Sequence, residues 1–266
     1  MDFNWYRKLN EGRCIYRSKQ NIEVYENSKF LWIQFNARFI QSMIIKKRPQ
    51  RPVLPYLHQF LLFTKLSPGN ICLLGLGGGC AIHLLRPLLQ EHTITAVELH
   101  EDMIHIAKKF FNIPQHPNLH IICNSAEQFI SNNTEQYQHL LVDLGDLDGF
   151  PKLCKTEKFI VDCYHALASH GQLMINLTHF SDVTFFKSII KEIFNENPLI
   201  IEADGNWILS INKNTPREVI IHMLQSNGHI KSLHWHPGHG ELLTLNHQWF
   251  TKIKRFLFRL KNENRI

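Results

Sequence analysis

From residue 70 the chain settles into one rhythm: a short run apolar at nearly every position, a polar loop, then a segment with apolar residues at helical spacing. NICLLGL (70–76), TITAVEL (93–99), LHIIC (119–123), HLLVDL (139–144) and QLMINL (172–177) are the runs. A strand that is apolar on both faces must be covered on both faces, and helices connecting parallel strands provide that cover. CAIHLLRPLLQEH, EDMIHIAKKFFN, SAEQFISN and TEKFIVDCYHALASHG supply such helices, the first bent or ended around Pro87 and the last marked at its end by Gly171. A further helix is predicted at about 182–195. PLIIEA and WILSINK then follow, joined by Asp204-Gly205-Asn206, a hairpin signal.

Five parallel strands followed by an antiparallel hairpin do not make the paired halves of a dinucleotide-binding domain. They match the α/β, Rossmann-like seven-stranded sheet of S-adenosylmethionine-dependent methyltransferases. The first 65 residues read differently. CIYRS, NIEVYEN, KFLWIQF and FIQSMII are β-branched and aromatic runs between polar turns, which predicts a small antiparallel β unit. RPVLPYLHQFLLFTKL leads from it into a helix beginning near Pro55. The expected organisation is thus a β unit and linker (1–65), an α/β domain (66–245) and a basic amphipathic helix (246–266). That last segment places Trp249, Ile253, Phe256, Leu257 and Leu260 on one helical face. It suits docking onto the domain or a second subunit, with a membrane surface or nucleic acid as alternatives.

Composition narrows the class. An apolar fraction of 44% with 18 phenylalanines fills a core, and 20% charged residues argues against wholesale disorder. The net charge of +6 gathers at 46–51 and in the last fifteen positions, so a mildly basic surface is expected and no nucleic-acid partner. The six cysteines form no CxxC pair. The N-terminus lacks the apolar stretch of a signal peptide, and no apolar run nears the roughly 20 residues that span a bilayer. A reduced, cytoplasmic protein without a membrane span is the expectation.

Chemistry concentrates at the strand ends. LLGLGGGCA (73–81) lies between strand and helix, where glycines let the backbone approach a ligand and the helix start offers free N–H groups. A plain tight turn would also account for the glycines alone. Glu98 ends the second strand, 19 residues after Gly79, where a carboxylate can accept hydrogen bonds from both ribose hydroxyls. Without a Walker pattern or phosphate-binding lysine, this points to a nucleoside rather than a nucleotide. CNSAEQF (123–129) follows the third strand, placing Ser125 and the backbone at Ala126 where an adenine ring would lie. The fourth strand delivers Asp143, Asp146 and Asp148 into the crevice at the carboxyl end of the sheet. Carboxylates there suit a cationic substrate, and one can take a proton from an attacking amine. Asx-type turn residues and a helix cap are the competing reading, strongest for Asp148. HWHPGHGE (234–241) holds His234, His236 and His239, but at no standard ligand spacing; a loop is expected there and no metal.

These motifs, in this order, resemble the spermidine synthase (polyamine aminopropyltransferase) family over about residues 20–212, in a divergent bacterial branch. The family's glycine-rich loop stands here as GGGCA, its acidic strand end as VELH, its adenine-side segment as NSAEQF and its acidic loop as DLGD. Gln41, Ser42 and Tyr56 fall where the family has its substrate-side segment. The resemblance implies a transferase of polyamine biosynthesis that moves an aminopropyl group from decarboxylated S-adenosylmethionine to an amine such as putrescine, releasing methylthioadenosine, and a homodimer. It implies donor binding by Gly75, Gly77, Gly78, Gly79, Cys80, Glu98, Ser125 and Ala126. Asp143 would be the base, with Asp146 beside it in the catalytic pair and, together with Gln41 and Tyr56, holding the amine. Four positions depart from the family: Cys80 and Ser125 replace aspartates, Leu57 replaces His or Gln, and Leu147 replaces proline. A methyltransferase using S-adenosylmethionine, or a non-catalytic nucleoside-binding homologue, are the alternatives.

Overall fold

A computed structural model describes residues 11–35, 39–145 and 149–246. Nine strands of these residues form one sheet. Its parallel series is β5 (Ile71–Leu74), β6 (Ile94–Glu98), β7 (Leu119–Cys123), β8 (Tyr137–Val142) and β9 (Leu167–Leu177). The hairpin β10 (Leu199–Ala203) and β11 (Asn206–Asn212) follows, then β12 (Ile230–His236) and β13 (Gly240–Leu245). The spatial order is β12-β13-β10-β11-β9-β8-β5-β6-β7. The seven strands from β10 to β7 in that order form the methyltransferase-like sheet expected from the apolar runs, and β12 and β13 extend it at the β10 edge. The chain reverses direction beside β5, between β6 and β8, which is where open α/β sheets bind ligands.

A small four-stranded sheet precedes it: β1 (Arg13–Arg17), β2 (Ile22–Glu26), β3 (Phe30–Phe35) and β4 (Phe39–Ile45), all antiparallel. Two short helices, α1 (Tyr56–Phe60) and α2 (Leu62–Leu66), lead into β5. The remaining helices are α3 (Cys80–Leu85), α4 (Glu101–Lys109), α5 (Ala126–Ser131), α6 (Glu157–Ala166), α7 (Phe180–Phe194) and α8 (Arg217–Ser226). Pro87 ends α3 as expected, in a 3-10 turn over Arg86–Gln90. One core joins Ile22, Val24, Ile33 and Ile44 of the small sheet to Phe60, Leu61, Phe111 and Ile208 of the large domain. The opposite face of the large sheet packs Val142, Ile175 and Leu209 against Phe159 and Phe186 from α6 and α7. No helix among the described residues is long and apolar enough to cross a membrane.

Two expectations change. The segment expected as a loop is largely strand: His234 and His236 lie in β12, which pairs antiparallel with β13, while His239 sits in the turn between them, and β13 pairs in parallel with β10. And α6 stops at Ala166 rather than near Gly171, because Leu167 turns extended (φ −80°, ψ 134°) and pairs with Tyr137. Gly171 then sits inside β9, with no room for a side chain between the carbonyls of Ala168 and Tyr137, each 2.9 Å from where its Cβ would stand.

Candidate active site

One face of the sheet collects the site, and strand parity explains why. Leu73, Ala96, Leu141 and Met174 point into the core shared with the small sheet. Side chains two residues apart share a face, so Glu98, Asp143 and Asn176 emerge on that same side at the carboxyl ends of β6, β8 and β9. The small sheet and α1 stand over them.

Between β5 and α3 the glycine loop takes left-handed backbone angles at Gly75 (φ +97°), Gly77 (φ +51°) and Gly79 (φ +74°). Its amides are held from two sides. Glu98 is buried; its Oε2 accepts from the N–H groups of Leu76 and Gly77, both at 3.2 Å, and its Oε1 from that of His100 at 3.0 Å. From the small sheet, Ser42 Oγ accepts the Gly78 N–H at 2.8 Å. Gly75 leaves no space for a side chain: a Cβ there would collide with the Asp143 carbonyl oxygen. Gly75→Ala combines that collision with an unfavourable φ, and is expected to cost about 2 kcal/mol or more. A thermal melt should show it as a fall of at least about 4 °C.

Asp143 is the centre of a hydrogen-bonded chain. Tyr56 Oη donates to its Oδ2 at 2.8 Å, and Asn176 Nδ2 donates to its Oδ1 at 2.7 Å. Asn206 Nδ2 in turn donates to Asn176 Oδ1 at 2.8 Å. Burial pushes the Asp143 carboxyl above its ordinary range, and the bonds from Asn176 and Tyr56 oppose that push without cancelling it. Burial, then the neighbouring Asp143 charge, pushes the Tyr56 phenol well above its usual value, so the tyrosine stays a donor. A carboxylate that is anchored on both oxygens yet raised in basicity is suited to accept a proton.

Cys80, at the start of α3, is buried and bonds to the carbonyl of Met43 at 3.5 Å. Burial pushes its thiol up to about 11, with the Asp143 charge adding to the shift. Position 80 therefore presents a neutral group to the crevice. On the adenine side, Ser125 precedes α5 without capping it, and its Oγ is buried with no partner among the described residues. Gln41 on β4 likewise carries a buried, unpartnered Oε1. Ala126 is buried at the start of α5. Leu57, beside Tyr56, points into the core.

Thus Tyr56, Asp143, Cys80, Glu98 and the glycines converge, with Ser125 at the end of the neighbouring β7. Asp146, Leu147, Asp148 and the tail residues Trp249, Ile253, Phe256, Leu257 and Leu260 lie outside the described residues. Beyond Asp148 the chain is tied down by Lys155, which pairs with the buried Asp182 at 2.6 Å. Two participants were not singled out from sequence, Asn176 and Asn206. The signal for the first was present, since it is a polar residue near the end of an apolar strand, as Asp143 is. Among the described residues no group of three His, Cys, Asp or Glu is placed to hold a metal; His236 and His239 instead stack ring on ring, 5.2 Å apart.

The glycine cradle, the Glu98 carboxylate and the orphaned Ser125 hydroxyl fit the nucleoside half of a sulfonium donor. The neutral thiol at position 80 offers no countercharge to an ammonium group.

No family model matches the chain. A polyamine aminopropyltransferase from Vibrio vulnificus is 24% identical over 215 residues, covering 76% of this chain and 70% of that protein. Among solved structures, a probable spermidine synthase from Corynebacterium glutamicum superposes with a TM-score of 0.66 at 20% identity, covering 91% of this chain and 92% of its own. Human methyltransferase-like protein 13, in complex with SAH, superposes with a TM-score of 0.52 at 18% identity, over 65% of this chain and 84% of its own. The resemblance drawn from the motifs is met in the curated relatives, and the α/β fold with its small N-terminal sheet is met in the solved structures.

Proposed function

We propose that this chain is a spermidine synthase-like transferase that joins an amine acceptor to a group carried by a sulfonium nucleoside, with Asp143 as the base. The observation that carries this reading is the anchored, half-buried Asp143 carboxylate between Tyr56 and Asn176, facing a glycine loop that Glu98 holds in place. The relatives named as polyamine aminopropyltransferases support the same chemistry.

A sulfonium nucleoside supplies an electrophilic carbon next to a positively charged sulfur. Glu98, the glycine loop and Ser125 would bind and orient the nucleoside. Asp143 attracts the ammonium of the acceptor and takes one proton from it, leaving a free amine lone pair aimed across the crevice. That nitrogen forms the new N–C bond while the C–S bond breaks, its electron pair going to sulfur. Tyr56 and Asn176 keep the carboxylate from rotating away. Loss of a decarboxylated donor's aminopropyl group leaves methylthioadenosine.

Cys80 favours a second reading, in which intact S-adenosylmethionine gives up a methyl group. Its amino acid part carries its own carboxylate beside the ammonium, so a neutral residue at position 80 is less of a loss.

The test is to incubate the full chain with a diamine and either donor. Methylthioadenosine from the decarboxylated donor, with an aminopropylated amine, is the expected result. S-adenosylhomocysteine from the intact donor would replace this reading with methyl transfer. Calorimetry showing no binding of either donor or of methylthioadenosine would overturn both.

A further inference from the structure

The polarity of the chain running from Asn206 to Asp143 is set by its end. An ionised carboxylate only accepts hydrogen bonds, so Asn176 must turn its NH2 group toward Asp143. An amide offering its NH2 on one side presents its oxygen on the other, and that oxygen takes the N–H of Asn206. Asn176 is only 8% exposed, so neither of its ends is free to find water instead. Were the amide reversed, its oxygen would face a carboxylate oxygen, acceptor against acceptor.

Backbone geometry brings Asn206 there. Asp204 (φ +49°) and Gly205 (φ +95°) make a two-residue turn with both central angles positive, the form that suits a tight hairpin. Across the β9–β11 ladder Ile208 pairs with Asn176. Asn206 lies two residues back along β11, on the same face, so its side chain reaches the Asn176 amide from the turn.

We propose that Asn206 is a positioning residue: by donating to Asn176 Oδ1 it holds that amide with its NH2 on Asp143, and so helps keep the carboxylate ionised and oriented toward the acceptor. This rests on Asp143 being the base. Asn206 touches neither acceptor nor donor in this role; it acts through Asn176. The other titratable groups facing Asp143 are Tyr56 and Cys80, both shifted upward by burial and both neutral in the working range. Both therefore keep their protons where the carboxyl of Asp143 titrates.

Two substitutions separate orientation from charge. Asn206→Asp keeps the size but can only accept. Asn176 would then swing its NH2 toward position 206 and give its oxygen to Asp143, which must carry a proton to bond it. Asn206→Ala removes the donor and adds no charge. The readout is the 13C titration of the Asp143 carboxyl in the free, full-length protein, with the resonance assigned by its absence in Asp143→Asn. The expected result is an upward shift of about one unit or more in Asn206→Asp, and a smaller upward shift in Asn206→Ala. The acid limb of the transfer rate should move to higher pH by the same amounts. An unchanged titration in both folded variants overturns the proposal. So does a shift in Asn206→Asp alone, which would be the effect of the added charge. If both variants shift the titration but the wild-type protein transfers nothing to an amine, the positioning role stands and the assignment of Asp143 as base falls.

Discussion

Asp143→Asn is expected to lower the rate of amine transfer by about three orders of magnitude, within the range a positioned general base contributes, while nucleoside affinity stays within about twofold. The substitution keeps shape and removes charge. The new amide has one acceptor oxygen where the carboxylate had two, so Tyr56 or Asn176 loses its partner, but the glycine loop and Glu98 are untouched. Single-turnover rates with radiolabelled donor measure the first quantity and calorimetry with methylthioadenosine the second. The wild-type rate should also fall on acidification at a pH above the ordinary carboxylate range. Burial raises the Asp143 carboxyl, so it takes up its proton early as pH drops and ceases to act as a base. Asp143→Asn should lose that acid limb along with its rate. Turnover near the wild-type value in this variant would rule out Asp143 as the base. A loss of nucleoside affinity equal to the loss of rate would recast it as a binding residue.

The strand ends were legible from sequence because parity and polarity coincide there. A wholly apolar strand has no reason to finish in Glu98 or Asp143 unless those side chains meet polar partners beyond the apolar core, and both do, on one face of the sheet. The turn Asp204-Gly205 was legible for a similar reason, since its residues tolerate the positive φ that the hairpin needs. What could not be read depends on partners far away in the chain. β12 offers exposed Trp235 and two histidines, joined to β13 through Pro237, Gly238 and His239, and nothing local marks it as a strand. It exists because β13 finds the open edge of β10, 42 residues earlier in register, Ile200 beside Leu242. The start of β9 was hidden in the same way: Leu167 and Ala168 continue a helical pattern, and only pairing with Tyr137 draws them out of it. Ser42 on Gly78 and Asn206 on Asn176 are contacts between elements 36 and 30 residues apart. Their residue types were visible; their meeting was a product of the fold.

Glu98→Ala should weaken methylthioadenosine binding by about 100-fold or more, roughly 2.7 kcal/mol. Two roles combine in this carboxylate. It already accepts three backbone N–H groups, two from the glycine loop and one from His100. Hydrogen bonds to a charged acceptor contribute about 1.5–3 kcal/mol each, and removal leaves buried donors unpaired. The loop that must cradle the nucleoside would relax before any ligand arrives. The second role is toward the ribose: of about four lone-pair positions three are taken, so the carboxylate has room for one ribose hydroxyl and not for both. A nucleoside lacking both ribose hydroxyls separates the two. If Glu98 binds the ribose, wild-type protein should prefer methylthioadenosine over its dideoxy form, and Glu98→Ala should bind the two alike, giving a measurable coupling in the double cycle. If Glu98 only braces the loop, both proteins should discriminate between the two ligands equally while the variant binds each more weakly. Unchanged affinity for methylthioadenosine in the variant would place the nucleoside elsewhere.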